Sequence, residues 1–464
     1  MHIDSQSCNF KRIRTTQVVG KMKYFMPKKH SEVKKPGRVE LRNPEKTETM
    51  SGKKHRQLGF QELLLAFVLI GGSFSNQLTL LGLGTNFATI VFGLIAIAVL
   101  YGIVRNRRVV FTEIHCGLPL ALLTMCLVLL VIKPGYSSIG FENVFIFVML
   151  PFFIFLKELD AQKVLKYVLT LSVLLIPSAF LLISGTDETQ VMPLSYAITT
   201  PVVAALVFIR YRMRRLTVYE KLLCLLAIFF FVCMFMYGKR GPVVVVAVCI
   251  SVLMVKPPNE NDGLTLKQVA RALVLLALLL VLAGSLELIL EWIAEILGHL
   301  GIEASSITRT LVLANTNYGI DASRSELYAA AFDFFIQSPL YGHGLGSFLY
   351  STLYGQIMQY PHNVVLQLLD DGGLVLMLLV SIPIIKAFFR MLASSDRNFY
   401  IIYILLFSIA IPHFMVSSDI FQQPELWCLL AYSHFINQMG KSNIATSRWS
   451  ARTSRPCKGE FSEG

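Results

Sequence analysis

The stretch SRSELYAAAFDFFIQSPLYGHGLGSF at residues 323–348, followed by YPHN at 360–363 and DDGG at 370–373, concentrates charge, histidine and glycine in an otherwise apolar chain. Ser323 and Glu326 stand at capping-box spacing and predict that a helix starts there. Apolar residues follow at helical spacing and predict one buried helix face. The proline and glycines that come next predict the end of this helix and a close approach of the backbone to a bound group.

Composition places the chain among integral membrane proteins. Hydrophobic residues make up 54% and charged residues 15% of the sequence, and the mean hydropathy is +0.60. Since about 20 apolar residues cross a bilayer as a helix, we predict an all-α, polytopic protein with about 12 transmembrane helices. The predicted spans are 58–76, 83–104, 115–133, 141–157, 166–184, 193–210, 219–237, 241–256, 271–290, 374–390, 398–416 and 424–439.

The formal net charge of +13 follows the topology of a membrane protein and does not require a nucleic-acid partner. Basic residues gather in every second connection, at 105–108, 157–166, 210–215, 256–271 and 386–397. Cytoplasmic loops retain Lys and Arg, so both termini are predicted to be cytoplasmic. None of the eight cysteines falls in a predicted outward loop, and no disulfide framework is expected.

Five segments follow from this pattern. We predict a basic, disordered cytoplasmic tail at 1–57, transmembrane helices one to nine within 58–290, a large outward (periplasmic) helical loop at 291–373 that carries the catalytic motifs, helices ten to twelve within 374–439 and a second cytoplasmic tail at 440–464. Met50 is an alternative start of the chain, which leaves open whether residues 1–49 belong to the mature protein.

Two cationic positions are candidates for binding an anion. Lys239 and Arg240 fill a tight turn predicted to face outward, against the positive-inside bias, where they either snorkel to headgroups or clamp a phosphate. Arg324 lies in the predicted first turn of the outward helix, whose free N–H groups also favour an anion. Solvation alone is the alternative for Arg324.

His362 and its neighbours are candidates for acid–base chemistry. His362 stands beside Asn363 where the loop re-enters the membrane, and an imidazole with a pKa near 6.5 can accept a proton from an alcohol. A structural histidine is an equal alternative. Asp370 and Asp371 can instead form a polar helix end, and His343 can be a turn residue. No metal-ligand, nucleotide-binding or serine-hydrolase motif occurs, so no metal or cofactor is expected.

These motifs together resemble the O-antigen ligase and O-antigen polymerase superfamily of bacterial envelope glycosyltransferases. The Lys239-Arg240-Gly241 turn looks like the family's Arg-Gly turn, 323–344 looks like its outward-loop helix ending in Pro-x-x-Gly-x-Gly, and 360–363 with Asp371-Gly372 looks like its His-Asn block. The chain departs from the family at Lys239, where Ser or Thr is common, and at Gln367, where Glu is common.

The resemblance implies transfer of a glycan from an undecaprenyl-diphosphate carrier at the periplasmic face of the inner membrane, without nucleotide sugar or ATP. The acceptor is a glycan or the lipid A core, the lipid bilayer surrounds the protein, a chain-length regulator is a candidate partner, and no nucleic acid is involved. The implied catalytic residues are His362, Arg324 and Arg240. The implied substrate-binding residues are Lys239, Glu326, His343, Asn363 and Asp371.

Three functions remain open at this point. A polymerase joins carrier-linked repeat units, and the Gly-x-Gly-x-x-Ser-Phe and Tyr-Pro-His-Asn sequences favour it. A ligase moves the finished glycan to the lipid A core. A polysaccharide transporter or flippase without catalysis would also suit many spans, although its charges would lie at mid-membrane and its halves would repeat.

Overall fold

The fold is almost entirely helical in the computed structural model. The structure describes residues 59–80, 93, 117–132, 144–184, 188–212, 216–237, 240–255, 270, 273–275, 277, 286–301, 308, 319–351, 357–394, 396–416, 419–421 and 423–453. All of them belong to one unit, Arg56–Gly464. The expectation of an all-α fold is confirmed for the described residues, whose regular structure is helical apart from one two-stranded ribbon.

The helices follow the apolar runs of the sequence. Their bounds are α1 Phe60–Leu80, α2 Gly117–Ile132, α3 Leu150–Ile154, α4 Ala161–Leu171, α5 Ile176–Ile183, α6 Glu188–Ala197, α7 Thr199–Arg212, α8 Val218–Tyr237, α9 Arg240–Val255, α10 Leu286–His299, α11 Gly319–Gln337, α12 Val364–Ala393, α13 Arg397–Val416 and α14 Glu425–Thr453. A π-helical turn, Val144–Met149, precedes α3, and a 3₁₀ turn, Ser172–Leu175, joins α4 to α5. Strand β1, Tyr350–Ser351, pairs antiparallel with β2, Ile357–Met358.

The predicted number of spans is not confirmed. Among the described residues, five helical segments are long and apolar enough to cross a membrane: Ala161–Ile183, Met192–Arg212, Val218–Met236, Val364–Leu392 and Arg397–Met415. Shorter apolar helices occur at Phe60–Phe74, Gly117–Val131, Val144–Ile154 and Gly241–Met254. The predicted second and ninth spans, 83–104 and 271–290, lie largely outside the described residues.

Helix α12 begins earlier than the sequence suggested. The predicted tenth span starts at 374, whereas the helix starts at Val364 and carries a kink at Gly373, where φ is 63° and ψ is −163°. Asn363 caps the helix by accepting hydrogen bonds from the N–H groups of Val365 and Leu366, at 2.9 and 3.3 Å. The polar Asp370-Asp371 pair therefore lies inside a helix just before its kink. Hydropathy had assigned these two residues to the loop at 291–373.

Helices α7 and α13 are antiparallel and define two ends of the protein. At one end, the Arg397 side chain donates to the Tyr211 carbonyl and lies over the Tyr211 ring. At the other end, the Tyr196 ring, just before α7, stacks on His413 with centroids 3.9 Å apart. We call the first the Arg397 end and the second the His413 end.

The Arg397 end holds buried charge in ion pairs. Glu220 is 1% exposed; its carboxylate lies 3.6 Å from the Lys166 ammonium and 3.9 Å from the Arg212 guanidinium, and it accepts a hydrogen bond from the Thr217 N–H at 2.9 Å. A buried carboxylate needs such partners, since an unpaired buried charge is costly. Lys166, Arg212 and Arg397 thus lie at the Arg397 end, and Gln367 of α12 bonds to Asp419 beyond α13, at the His413 end.

Candidate functional site

The loop after α11 packs backbone against backbone on the kink of α12. The N–H groups of His343 and Gly344 donate to the carbonyls of Asp370 and Asp371 at 2.7 and 3.0 Å. In return, the N–H groups of Leu374 and Val375 donate to the carbonyls at 339 and 340, at 2.8 and 3.2 Å. Four hydrogen bonds therefore tie the loop to the kink.

Two glycines make this contact fit. A Cβ added to Gly342 would lie 2.5 Å from the Asp371 carbonyl carbon, and one added to Gly373 would lie 2.4 Å from Leu340 backbone atoms. Both glycines also have positive φ values, near 65° and 63°, which favour glycine. Gly342 was expected to bring backbone close to a bound group, and in the structure it brings the loop close to a second segment of the chain.

Helix α11 starts earlier than its predicted cap. It begins at Gly319, so Ser323 and Glu326 lie within the helix and the predicted capping box is wrong. Arg324 accordingly stands beyond the first turn, where free N–H groups no longer contribute. Its side chain and that of Glu326 are exposed. The predicted apolar face exists, since Leu327 and Ala331 are buried against Phe348.

His362 occupies an uncommon backbone conformation. Its φ is 53°, and it is the non-glycine residue with positive φ among the described residues. Such a conformation costs on the order of 1–2 kcal/mol for a residue with a Cβ and commonly marks a functional position. The ring is half-buried and packs against Tyr360 with centroids 4.4 Å apart.

Arg324 and His362 lie within electrostatic range of each other. Burial, and after it the positive charge of Arg324, lowers the pKa of His362 to about 4. The imidazole is therefore neutral at pH 7, with a ring nitrogen able to accept a proton. An anion bound at Arg324 would cancel part of this effect and raise the basicity of the ring.

His343 and Asn363 make contacts of a structural kind. The His343 Nε2 atom lies 2.7 Å from the Phe334 carbonyl and its ring stacks on the Phe334 ring at 3.9 Å, so it closes the end of α11. The Asn363 Oδ1 atom caps α12, as described above. Their predicted roles in substrate binding stay predictions.

Asp371 belongs to a buried polar cluster. It is 1% exposed, and its Oδ1 atom accepts a hydrogen bond from the Gly346 N–H at 2.8 Å. Gln367, one turn earlier, donates to Asp419 Oδ1 at 2.7 Å and accepts from the Ile420 N–H at 3.3 Å. The carboxylates of Asp419 and Asp370 act electrostatically on Asp371. Sequence analysis missed Asp419, which follows α13 and carries no local motif.

Tyr196 and His413 were also missed as site residues. Besides stacking on His413, Tyr196 lies within electrostatic range of Arg324 and Tyr360. A single histidine near the end of an apolar span and a tyrosine after Pro193 give no recognisable spacing. Only the packing of α6, α7 and α13 brings them to the loop.

The position of α9 shows at which end of the protein the turn at 239–240 lies. Lys239 and the Arg240 side chain lie outside the described residues, and Arg240 is the first residue of α9. Short connections make α8 antiparallel to both α7 and α9. Because Cys249 lies within electrostatic range of Tyr211 at the end of α7, the start of α9, about 13 Å back along the helix axis, falls at the His413 end. The backbone of Arg240 thus starts at the end that holds Tyr196.

Comparison with known proteins supports the family resemblance. Residues 222–381 match the family model described as O-antigen ligase. This stretch of the chain is similar to the O-antigen ligase family. The match covers Arg240, Arg324, His362 and Asp371 and confirms the resemblance drawn from the motifs. No curated protein matches the chain.

The family and the apolar helices agree in what they indicate. A match to the O-antigen ligase family, in a chain with five helices among its described residues that are long and apolar enough to span, supports a multi-pass inner-membrane protein and a glycosyltransferase-type enzyme. Within the matched residues, Arg324 of α11 acts electrostatically on His362 of the following loop.

Proposed function

We propose that the protein transfers a glycan from an undecaprenyl-diphosphate carrier to the hydroxyl of an acceptor sugar, as a polymerase of surface-polysaccharide repeat units at the periplasmic face. The observation that carries this proposal is the pairing of Arg324 with His362 at the His413 end, opposite the ion-paired Arg397 end. The domain match supports the class of reaction. The predicted 291–373 loop and the placement of both termini in the cytoplasm are part of the same proposal.

The roles follow from the charges that the reaction creates. The acceptor oxygen forms the new bond to the anomeric carbon, the bond from that carbon to the diphosphate oxygen breaks, and its electron pair stays on the diphosphate. Arg324, together with Arg240, stabilises this charge more in the transition state than in the ground state. The proton of the acceptor hydroxyl passes to His362, and attack from the back side inverts the anomeric centre.

The pKa of His362 suits this sequence of events. The lowered pKa keeps the ring neutral at pH 7, so the base is ready without a prior deprotonation. When a diphosphate neutralises Arg324, the ring becomes a stronger base at the moment when the acceptor must lose its proton. Asp371 and Glu326 are the proposed orienting carboxylates, and Lys239, His343 and Asn363 complete the proposed set of substrate contacts.

The test is a glycan ladder from complemented cells. Arg324→Ala and His362→Asn should each lower polymer formation by about 100-fold or more, as removal of a preorganised charge or base does elsewhere. Asn is chosen for position 362 because it tolerates positive φ, so the backbone is kept and only the imidazole is lost. Lys163→Ala, an exposed cation at the Arg397 end, is the matched control. Wild-type ladders from both site variants would contradict the assignment.

The alternatives give different products. Loss of a polymerase leaves lipid A core capped with a single repeat unit, whereas loss of a ligase leaves bare core and carrier-linked polymer. Turnover of carrier-linked glycan by the purified protein distinguishes either enzyme from a transporter or flippase, which would move the glycan without forming a new glycosidic bond.

A further inference from the structure

Tyr196 offers a hydrogen-bond donor that the folded protein does not use. Its hydroxyl is buried and finds no hydrogen-bond partner among the described residues. Leaving a hydroxyl buried and unpaired costs about 1–3 kcal/mol. A phenylalanine at the same place would avoid this cost.

The ring of Tyr196 is held in place by His413. It stacks on His413, with centroids 3.9 Å apart and planes inclined by 23°. His413 itself is 7% exposed and lies in α13. Tyr196 stands in the last turn of α6, before the interruption at Ile198 that separates α6 from α7. The direction of the hydroxyl is therefore fixed by two helices and does not depend on a flexible loop.

The surroundings of the hydroxyl favour an anionic ligand. The charge of Arg324 and the phenol of Tyr360 act electrostatically on Tyr196. Tyr360 also packs on His362. A guanidinium and a phenol O–H in the same region supply one charged and one neutral donor, which suits a phosphoryl oxygen.

We propose that Tyr196 is a substrate-contacting residue that donates a hydrogen bond to a phosphoryl oxygen of the lipid-linked diphosphate, and that His413 is the residue that positions it. This inference rests on the proposed function. It extends the diphosphate site from the loop into the membrane-embedded helices, so that one donor comes from α6 and one from α11. Without ligand, the buried Tyr196 hydroxyl has lost its hydrogen bonds to water. It regains a hydrogen bond when the diphosphate binds, and this adds to the affinity for the diphosphate and not for the sugar.

The experiment compares binding and stability in Tyr196→Phe. Binding of undecaprenyl diphosphate to the purified, full-length protein in detergent should weaken by about 10- to 150-fold, the effect of losing one hydrogen bond from a neutral donor to a charged acceptor. The thermal midpoint of the ligand-free protein should stay unchanged or rise, because the lost hydroxyl had no partner. Tyr403→Phe is the control: its buried hydroxyl donates to the Ile384 carbonyl at 2.9 Å, so this variant should lose stability and keep its affinity.

Three results separate the possible outcomes. If Arg324→Ala weakens binding and Tyr196→Phe does not, the role of Tyr196 is refuted while the proposed function stands. If neither variant changes affinity, the proposed function fails together with this inference. If Tyr196→Phe weakens binding of phosphatidylglycerol alone, the hydroxyl serves a bilayer phospholipid and the diphosphate role is overturned. His413→Ala should reproduce the loss of affinity and His413→Phe, which retains a stacking ring, should restore it.

Discussion

Replacement of Gly373 by alanine tests the contact between the loop and the kink of α12. The backbone at Gly373, with φ 63° and ψ −163°, lies in a region open almost only to glycine, and a Cβ would meet the Leu340 carbonyl at 2.4 Å. The conformation costs a residue with a side chain about 1–3 kcal/mol. Moving the loop away breaks the hydrogen bonds from Leu374 and Val375, each of which contributes about 0.5–1.5 kcal/mol. The expected loss of stability is therefore about 2–6 kcal/mol.

The measurement is the free energy of unfolding of the purified variant by chemical denaturation in mixed micelles. Gly298→Ala is the control variant. Gly298 lies in α10 with open space around its Cβ position, so alanine there should stabilise by about 0.5–1 kcal/mol. A loss below about 0.5 kcal/mol for Gly373→Ala would refute the reasoning, because it would mean that the loop does not rest on the kink. We expect glycan transfer to fall with stability, since the same loop leads to His362.

Three further predictions concern the site. Asn363→Ala should destabilise α12 by about 1 kcal/mol, and Asn363→Ser, which also caps a helix, should recover the stability. Glycan transfer should stay low in the serine variant because the proposed substrate contact of the amide is lost; full transfer would contradict that contact. Asp371→Asn should melt at or above the wild-type temperature, because the amide oxygen still accepts a hydrogen bond from the Gly346 N–H. Asp371→Ala leaves that N–H without an acceptor and should lose about 1–3 kcal/mol of stability. Equal melting temperatures of the two variants would contradict a stabilising role for this hydrogen bond. The acid limb of the kcat/KM profile should lie well below pH 6.5, because a pKa of about 4 keeps the His362 ring neutral in the free protein down to about pH 4. A limb at or above pH 6.5 would contradict the lowered pKa of His362.

The local sequence predicted some of the site correctly and misplaced the rest. The apolar face of α11 and the importance of the residues around 362 could be recognised, because period and composition are local properties. The capping box at Ser323 failed, since the helix continues to Gly319 and propensity at one position does not fix a boundary. Residues such as Tyr196 and Asp419 carry no motif, so no pattern could identify them.

The sequence by itself determined that the chain is apolar and helical and that it resembles the O-antigen ligase family, because burial in hydrocarbon demands long apolar runs and the motifs keep a fixed order. The tertiary structure decided which residues meet. Arg324, His362 and Tyr196 are remote along the chain, and only the packing of α6, α7, α11 and α13 places them at the His413 end. The role of Gly342 and Gly373 also became visible only in the tertiary structure. They let two backbone segments approach to distances at which a Cβ atom would clash.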